Sequence, residues 1–288
     1  MVKFIAEISS NHNNSLKRSK KLIDEAAKAK FDIVKFQFFK IDKLFSKEIL
    51  ENSKNHSDRV NWELDKKYLP ILSKYTKSKG LQFCITPFYL EIVKYASNFV
   101  DFFKIASYEI LWKDLLVCCA KTKKKIILST GMATLQEVKS AIKILLDNGA
   151  SKVIVLHCVS NYPANLNSLN LSAIKTLKKK LSLDVGWSDH SRNPIVVNRA
   201  IEKWGATFIE MHLDLDSKGF EYGSGHCWLP NEATQLINTS KKIKILDGSG
   251  TKQPSRFELF ERKNRADPID GLRPIKKYRK MILKKILK

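Results

Sequence analysis

The sequence from 125 to 158 reads KIILSTGMATLQEVKSAIKILLDNGASKVIVLHC. Two short apolar runs rich in β-branched residues, 125–130 and 152–158, lie on either side of a longer segment with helical apolar spacing, 134–147. This is the pattern of a strand, a helix and a second strand. Such alternation predicts a parallel sheet with helices on its faces.

The same alternation continues along most of the chain. The predicted strands are Phe4–Ser9, Ile33–Phe38, Leu81–Thr86, Asp101–Ala106, Lys125–Thr130, Lys152–Cys158, Leu183–Ser188 and Thr207–Leu213. The predicted helices lie near 16–30, 66–79, 89–98, 112–121, 134–147, 169–180, 194–204 and 231–246. Eight such units predict a single closed (β/α)8 TIM barrel of the α/β class. An open doubly wound sheet is the alternative, but it commonly has a Gly-rich phosphate turn after its first strand, where this chain has SSNHNNS.

The domain boundaries follow from the length and from the C-terminal sequence. We expect residues 1–248 to form the catalytic barrel, and 249–288 to form a C-terminal extension that packs on the barrel and is not a separate domain. The last stretch of the extension, IKKYRKMILKKILK at 275–288, is basic and has helical apolar spacing. Such spacing is typical of a helix that docks on the protein, with binding to a membrane surface as the alternative.

Composition excludes several classes of protein. The chain has 288 residues, of which 43% are hydrophobic, so disorder over most of its length is excluded. The formal charge of +23 comes from 52 Lys and Arg against 29 Asp and Glu, and most of the excess is lysine scattered over predicted helix faces. This favours a solvated basic surface, or attraction of anionic ligands, over nucleic-acid binding, which typically uses clustered arginine.

The five cysteines are odd in number and have no CxxC spacing, which indicates a reduced, cytoplasmic protein. The N-terminal sequence lacks the features of a signal peptide, and no apolar stretch is long enough to predict a membrane span.

Polar residues occur where the predicted strands end, and in a parallel barrel all these ends meet at one rim. Two lysines, Lys35 and Lys104, lie in apolar strands, where a buried ammonium group needs an anion or carboxylates nearby. Five hydroxyl residues lie at the same rim: Thr86, Ser107, Ser129, Ser160 and Ser188. Ammonium and hydroxyl donors together favour a phosphate and a carboxylate as ligands. A structural ion pair is the alternative for either lysine alone.

Two histidines, His190 and His212, come from neighbouring strands seven and eight. Strand parity places His190 on the same side as Ser188, and His212 on the same side as Glu210. The two imidazoles can therefore approach one divalent cation from two sides and leave positions open for oxygen ligands. The alternative for each histidine is an ordinary core or loop residue, as we expect for His157 within its strand.

These residues lie in motifs that resemble a known family. The motifs are IAEISSNHNN, VKFQFF, TPF, FFKIASYEI, IILSTGMATLQEV, LHCVSNYPA, VGWSDHS and the Glu-Met-His of strand eight. In this order, from about residue 3 to 246, they resemble the N-acetylneuraminate (sialic acid) synthases, including legionaminate and pseudaminate synthases. The resemblance implies a (β/α)8 barrel that condenses phosphoenolpyruvate with an N-acetylated amino sugar. It also implies a divalent metal, Mn²⁺ or Mg²⁺, and a homodimer.

The resemblance also assigns roles to residues. The implied phosphoenolpyruvate contacts are Lys35, Thr86, Lys104, Ser107, Ser129, Ser160 and Ser188, and the assignment of Ser160 can shift to Asn161. The implied metal ligands are His190 and His212. The implied sugar contacts are Glu7, Gln37, Glu109 and Tyr162. Glu109, Lys35 and Lys104 are the implied catalytic residues, with Glu109 managing the water that adds during the reaction. The alternative for Glu109 is an ion pair with Lys104.

Two stretches differ from the family pattern. Where the family has a PGPDH loop whose aspartate binds sugar hydroxyls, this chain has DLDSKGFEYGSGHCWLP, in which Asp214, Asp216, Glu221 and His226 are the candidate substitutes. The residues after the barrel are too few for the antifreeze-like domain of many members, so we expect a short form without it. That domain gives an arginine to the acetamido group of the sugar, and we expect the tail sequence RADPIDGLRP to provide a replacement, Arg265 or Arg273. The alternatives are that acceptor recognition differs, or that Asp267 and Arg273 hold the tail to the barrel. The sequence leaves open a legionaminate- or pseudaminate-type synthase that uses a 2,4-diacetamido-6-deoxy sugar, or a barrel that binds anionic sugar without turnover.

Overall fold

The eight predicted strands are present in the computed structural model, which describes residues 2–287, and they close into a parallel barrel. The strands are β1 (Lys3–Ser9), β2 (Ile33–Phe38), β3 (Gln82–Pro87), β4 (Phe102–Ile105), β5 (Lys125–Ser129), β6 (Lys152–His157), β7 (Asp184–Asp189) and β8 (Phe208–His212). Their order around the barrel is the order of the sequence, and β8 pairs with β1. The TIM-barrel prediction is confirmed, and each predicted strand end lies within one residue of the observed one.

Helices alternate with the strands along the chain. The α-helices are α1 (Leu16–Lys28), α2 (Ile41–Leu44), α3 (Lys47–Asn52), α4 (Lys54–Ser57), α5 (Leu69–Ser78), α6 (Leu90–Ala96), α7 (Lys113–Lys121), α8 (Leu135–Asp147), α9 (Ala173–Leu181), α10 (Pro194–Glu202), α11 (Pro230–Lys242) and α12 (Lys276–Ile286). Local sequence explains where they begin. Thr134 and Glu137 form a capping box at the start of α8, and Ser15 accepts a hydrogen bond from the Arg18 amide at the start of α1.

The inside of the barrel changes from apolar to polar along the strands. Its lower layers are a separate buried cluster of Ile5, Ile33, Cys84, Phe102, Ile127, Ile154, Leu156 and Phe208. Side chains two positions further along a strand point to the same side. Glu7 follows Ile5 in this way, Lys35 follows Ile33, and Glu210 follows Phe208. The apolar layers therefore close the bottom of the barrel, and the polar residues line its carboxyl end.

The polar connection over 39–65, which follows β2, contains three short helices, α2 to α4, and a 3-10 turn at Asp58–Trp62. Its Trp62 ring stacks on Phe220 in the β8–α11 loop, with ring centroids 5.8 Å apart and an interplanar angle of 11°. The two longest rim connections therefore contact each other. His157 packs at the end of β6, as predicted, with its ring 5.3 Å from that of Trp187.

The chain divides into two compact units, with the boundary between Lys241 and Lys242. The second unit contains a 3-10 turn at Glu261–Asn264 and the predicted basic helix α12. Within it, Arg279 makes a two-pronged ion pair with Asp270, with both N···O distances 2.6 Å. Packing of this unit on the barrel stays a prediction. No helix among residues 2–287 is long and apolar enough to cross a membrane.

Candidate functional site

Four buried charged side chains occupy the centre of the carboxyl end of the barrel. The Lys35 ammonium group lies 3.0 Å from the Glu210 carboxylate and also pairs with Glu7, and the Lys104 ammonium group lies 3.1 Å from Glu210. All four residues are at most 3% exposed. The carboxylates that the two buried lysines require are therefore Glu7 and Glu210. The sequence analysis assigned no role to Glu210, although strand parity places Glu210 on the same side as His212.

The charges in this cluster shift one another's titration. Burial lowers the pKa of Lys35 to about 8, although attraction by Glu210 opposes the shift. Burial alone would raise the pKa of Glu210, but Lys104 and Lys35 together hold it well below its ordinary range. Glu210 is therefore ionised at neutral pH, and it lies between the two lysine side chains. An anionic substrate can compete with Glu210 for both lysines.

The five predicted hydroxyl residues lie at the carboxyl ends of β3 to β7 or in the residues that follow them. Three of the hydroxyl oxygens, those of Thr86, Ser129 and Ser160, are buried and have no hydrogen-bond partner in the part of the chain that the structure describes. Ser188 donates to Glu210 over 3.0 Å, and Ser107 lies 3.2 Å from the Cys158 sulfur. Because an unsatisfied buried hydroxyl is costly, these three oxygens indicate a ligand with acceptor atoms.

Gly131 follows β5 and permits the close approach of two of these hydroxyls. A Cβ atom at this position would lie 2.3 Å from the Ser160 oxygen and 2.9 Å from the Ser107 oxygen. The Gly131 amide also donates to the Ser107 oxygen over 3.0 Å. The sequence reasoning did not single out this glycine, although it lies directly after the fifth strand in the STGMA motif.

Glu109 lies in a 3-10 turn after β4, and one of its carboxylate oxygens is buried without a hydrogen-bond partner among the described residues. Burial raises its pKa from 4.5 to about 7, although Lys104 opposes the shift. Lys104 makes its ion pair with Glu210. Glu109 is therefore a carboxyl group that gains and loses a proton near neutral pH. Gln37 is half-buried at the end of β2.

Three imidazoles meet beside the charged cluster. The ring centroids of His190 and His212 are 5.4 Å apart, and that of His226 is 4.5 Å from His212. The Tyr162 ring packs against the group, 4.3 Å from His190 and 4.9 Å from His226. Burial lowers the pKa of each of these histidines to about 3. The imidazoles are thus neutral at physiological pH, which is the form that binds metals.

The β8–α11 loop brings one of its three candidate acids to these histidines. Glu221 lies 3.1 Å from the His212 Nδ1. In contrast, Asp214 and Asp216 both pair with Arg18, with N···O distances of 2.7 Å. These two aspartates therefore hold the loop to α1. Glu221 and His226 are the substitutes that face the two predicted metal histidines.

The sequence matches the pattern of the NeuB family over residues 22–252, which is more than half of the chain. The chain belongs to the NeuB family. Members of this family are phosphoenolpyruvate-dependent condensing enzymes of the sialic acid synthase type, and the chain is an enzyme of this class. The family and enzyme class that the eight motifs predicted are confirmed.

Three known proteins show how far the similarity extends. The N,N'-diacetyllegionaminic acid synthase of Campylobacter jejuni is 38% identical over 267 residues, 88% of this chain and 80% of the relative. The enzyme of the same name from Legionella pneumophila is 36% identical, over 88% of this chain and 76% of the relative. The crystal structure of N-acetylneuraminic acid synthetase from Leptospira borgpetersenii, in complex with citrate, has a TM-score of 0.79 and 32% identity, and the match covers 90% of each chain.

Proposed function

We propose that this NeuB-family enzyme condenses phosphoenolpyruvate with an N-acetylated amino-sugar aldehyde and water, giving a sialic-acid-type nonulosonate and phosphate. The observation that carries the proposal is the combination at one rim of two buried lysines and three hydroxyls without partners. A ligand with one phosphate and one carboxylate supplies acceptors for all of these donors.

The donor site is built from β2 to β7. Lys35 and Lys104 hold the negative charges of phosphoenolpyruvate, and the hydroxyls of Thr86, Ser107, Ser129, Ser160 and Ser188 complete its hydrogen bonds. The buried lysines already pair with Glu7 and Glu210. When phosphoenolpyruvate binds, the lysines therefore exchange these carboxylates for the negative groups of the substrate. Such prearranged charges need little reorganisation during the reaction.

Two side chains of the site also fit a divalent cation as ligands, since His190 and His212 are neutral, buried and adjacent. When bound, the cation acts as a Lewis acid on the aldehyde oxygen of the acceptor. We favour Mn²⁺ over Mg²⁺ because imidazole nitrogen is a poor ligand for Mg²⁺. His190 is oriented for this role by its Nδ1, which lies 2.8 Å from the Val159 carbonyl oxygen and leaves Nε2 for the site.

The acceptor sugar lies between the donor site and the histidines in this proposal. Gln37, Glu109 and Tyr162 contact it, and Glu7 offers a carboxylate oxygen that has no hydrogen-bond partner among the described residues. N-acetylmannosamine is one acceptor. The two legionaminic acid synthases, at 38% and 36% identity, favour a 2,4-diacetamido-6-deoxy sugar as the second.

Glu109 handles the proton of the water molecule in the second half of the reaction. C3 of phosphoenolpyruvate forms a bond to the aldehyde carbon, and the aldehyde oxygen takes up one proton to become a hydroxyl. Water then adds at C2, and Glu109 takes one of its protons, which replaces the proton taken up. Phosphate leaves with cleavage of the C2–O bond and with the other proton of the water, which gives the keto acid. A carboxyl group with a pKa of about 7 suits this step, because it can both accept and return a proton at neutral pH.

The test is phosphate release from phosphoenolpyruvate with Mn²⁺ present, measured with N-acetylmannosamine, with a 2,4-diacetamido-6-deoxyhexose and with no acceptor. We expect release that requires one of the two sugars, and loss of that release in Lys104→Met. Lys152→Met is the matched control, because Lys152 lies at the opposite end of the barrel, where it pairs with Asp184. No release with either sugar, from folded protein that binds phosphoenolpyruvate, would contradict the proposal.

The remaining expectations are proposals about the whole enzyme. We propose that the enzyme is a homodimer and that it is located in the cytoplasm. A cytoplasmic location agrees with the five cysteines, all of which are free thiols. Arg265 and Arg273 line one cavity of about 400 Å³ in the second unit. We propose that one of them supplies the arginine that recognises the acetamido group.

A further inference from the structure

The geometry points to a larger metal site than the predicted histidine pair: we propose that Glu221 and His226, both from the β8–α11 loop, bind the divalent cation together with His212. This inference rests on the proposed function, because it concerns the cation of the same site. Added to the predicted pair, His190 and His212, the two loop residues make a set of three histidines and one carboxylate. Such a set leaves coordination positions open for substrate oxygens.

The distances within the loop support a shared ion. Ligand atoms of His212, Glu221, His226 and Cys227 all lie within 4.8 Å of one another. One carboxylate oxygen of Glu221, Oε2, lies 3.1 Å from the His212 Nδ1 and 3.8 Å from the His226 Nε2. Two imidazoles on one ion place their ring centroids at most about 6.4 Å apart, given metal–nitrogen bonds of about 2.1 Å. The centroids of His212 and His226 are 4.5 Å apart.

Glu221 is held so that this oxygen faces the imidazoles. The Ser9 hydroxyl donates to the other carboxylate oxygen of Glu221, and the Glu221 amide donates to Asn11 over 2.9 Å. Asn11 in turn donates to the Leu213 carbonyl oxygen. Asn11, which follows β1, therefore holds the loop at both Leu213 and Glu221. A side chain at Gly219 would collide with Asn11, since its Cβ would lie 2.4 Å from the amide oxygen.

Cys227 lies close to the proposed ligands but is not one of them. Its sulfur accepts a hydrogen bond from Asn11 over 3.4 Å. Thiolate sulfur suits softer metals, whereas Mn²⁺ prefers oxygen ligands. We therefore expect oxygen and imidazole nitrogen to bind Mn²⁺ here, and the thiol to remain outside the coordination sphere.

The experiment is a titration of the full chain with Mn²⁺, without substrates, followed by the electron paramagnetic resonance signal of free Mn²⁺. We expect Glu221→Gln and His226→Gln each to weaken binding at least about 10-fold. The matched control, His157→Gln, removes a half-buried histidine whose Nε2 lies 3.0 Å from the Leu169 carbonyl oxygen, and it should bind Mn²⁺ as the wild type does.

A second measurement does not depend on how well the variants fold. X-ray absorption of the Mn²⁺-loaded wild type counts the imidazoles on the metal, and we expect it to include His226 as well as His212. Unchanged affinity in both variants, or a count of no more than two imidazoles in the wild type, overturns the inference. Phosphate release by the wild type is measured in parallel. Absence of turnover with variant-sensitive Mn²⁺ binding refutes the proposed function alone, whereas turnover with variant-insensitive binding refutes this inference alone.

Discussion

Replacing Glu109 by Gln should stabilise the protein at alkaline pH and stop turnover. Burial raises the pKa of this carboxyl group from 4.5 to about 7, so the folded state binds a proton more tightly than the unfolded chain does. Stability from this group is therefore fully present below pH 4.5 and is lost as the pH rises through 7. The gap between the two pKa values corresponds to about 3 kcal/mol. Glutamine has no charge to bury, so the variant avoids this cost.

The assay is urea unfolding of the wild type and of Glu109→Gln at pH 5 and pH 8, together with the rate of phosphate release. The variant should be more stable by about 3 kcal/mol at pH 8 and by about 1 kcal/mol at pH 5. Glu137→Gln is a matched control of opposite sign, because hydrogen bonds from Thr134 lower the pKa of that exposed carboxyl group. A stability difference that is equal at the two pH values, or retained turnover in Glu109→Gln, would refute the reasoning.

Three further predictions concern the other parts of the site. Lys104→Met should destabilise the protein by about 3–5 kcal/mol in urea unfolding, because it leaves the buried Glu210 carboxylate with one partner fewer. Adding Glu210→Gln to this variant should recover stability but not activity. A double variant that is no more stable than Lys104→Met would contradict this prediction. Gly131→Ala should raise the KM for phosphoenolpyruvate in a steady-state assay, since the new methyl group displaces the Ser160 hydroxyl; an unchanged KM would show that Ser160 does not contact the donor. Trp62→Ala should raise the KM for the acceptor sugar more than that for phosphoenolpyruvate, because it removes the stacking contact between the two rim connections; equal effects on both substrates would exclude a role in acceptor binding.

The repeated pattern of apolar runs and helical segments was sufficient to predict the barrel and its eight strands. Strand periodicity is local, since alternate residues face opposite sides whatever the rest of the chain does. The same parity predicted that Lys35 and Gln37 share a side, as do Glu210 and His212. The local pattern did not predict α2 to α4, which are four to six residues long and lie in a polar connection. Helices this short depend on contacts outside themselves, such as the hydrogen bond from the Ile41 amide to Glu63.

Partners across the barrel were the main gap in the sequence reasoning. The sequence indicated that Lys35 and Lys104 need a negative charge, but it did not identify Glu210 as the carboxylate between them. Lys104 and Glu210 are separated by 106 positions, and only closure of the barrel brings β4 and β8 to one centre. The same closure places β1 beside β8, which allows Asn11 to hold the loop that carries Glu221.

By itself, the sequence determined the fold class, the family and the types of residue at the rim, because periodicity and motifs are properties of neighbouring positions. Only the tertiary structure decided how those residues pair. It paired Asp214 with Arg18, placed Glu221 and His226 beside His212, and left three hydroxyls without hydrogen-bond partners among residues 2–287. The physical reason is that burial and electrostatic attraction act through space. The pKa of about 7 at Glu109 and that of about 3 at His212 follow from surroundings contributed by distant parts of the chain.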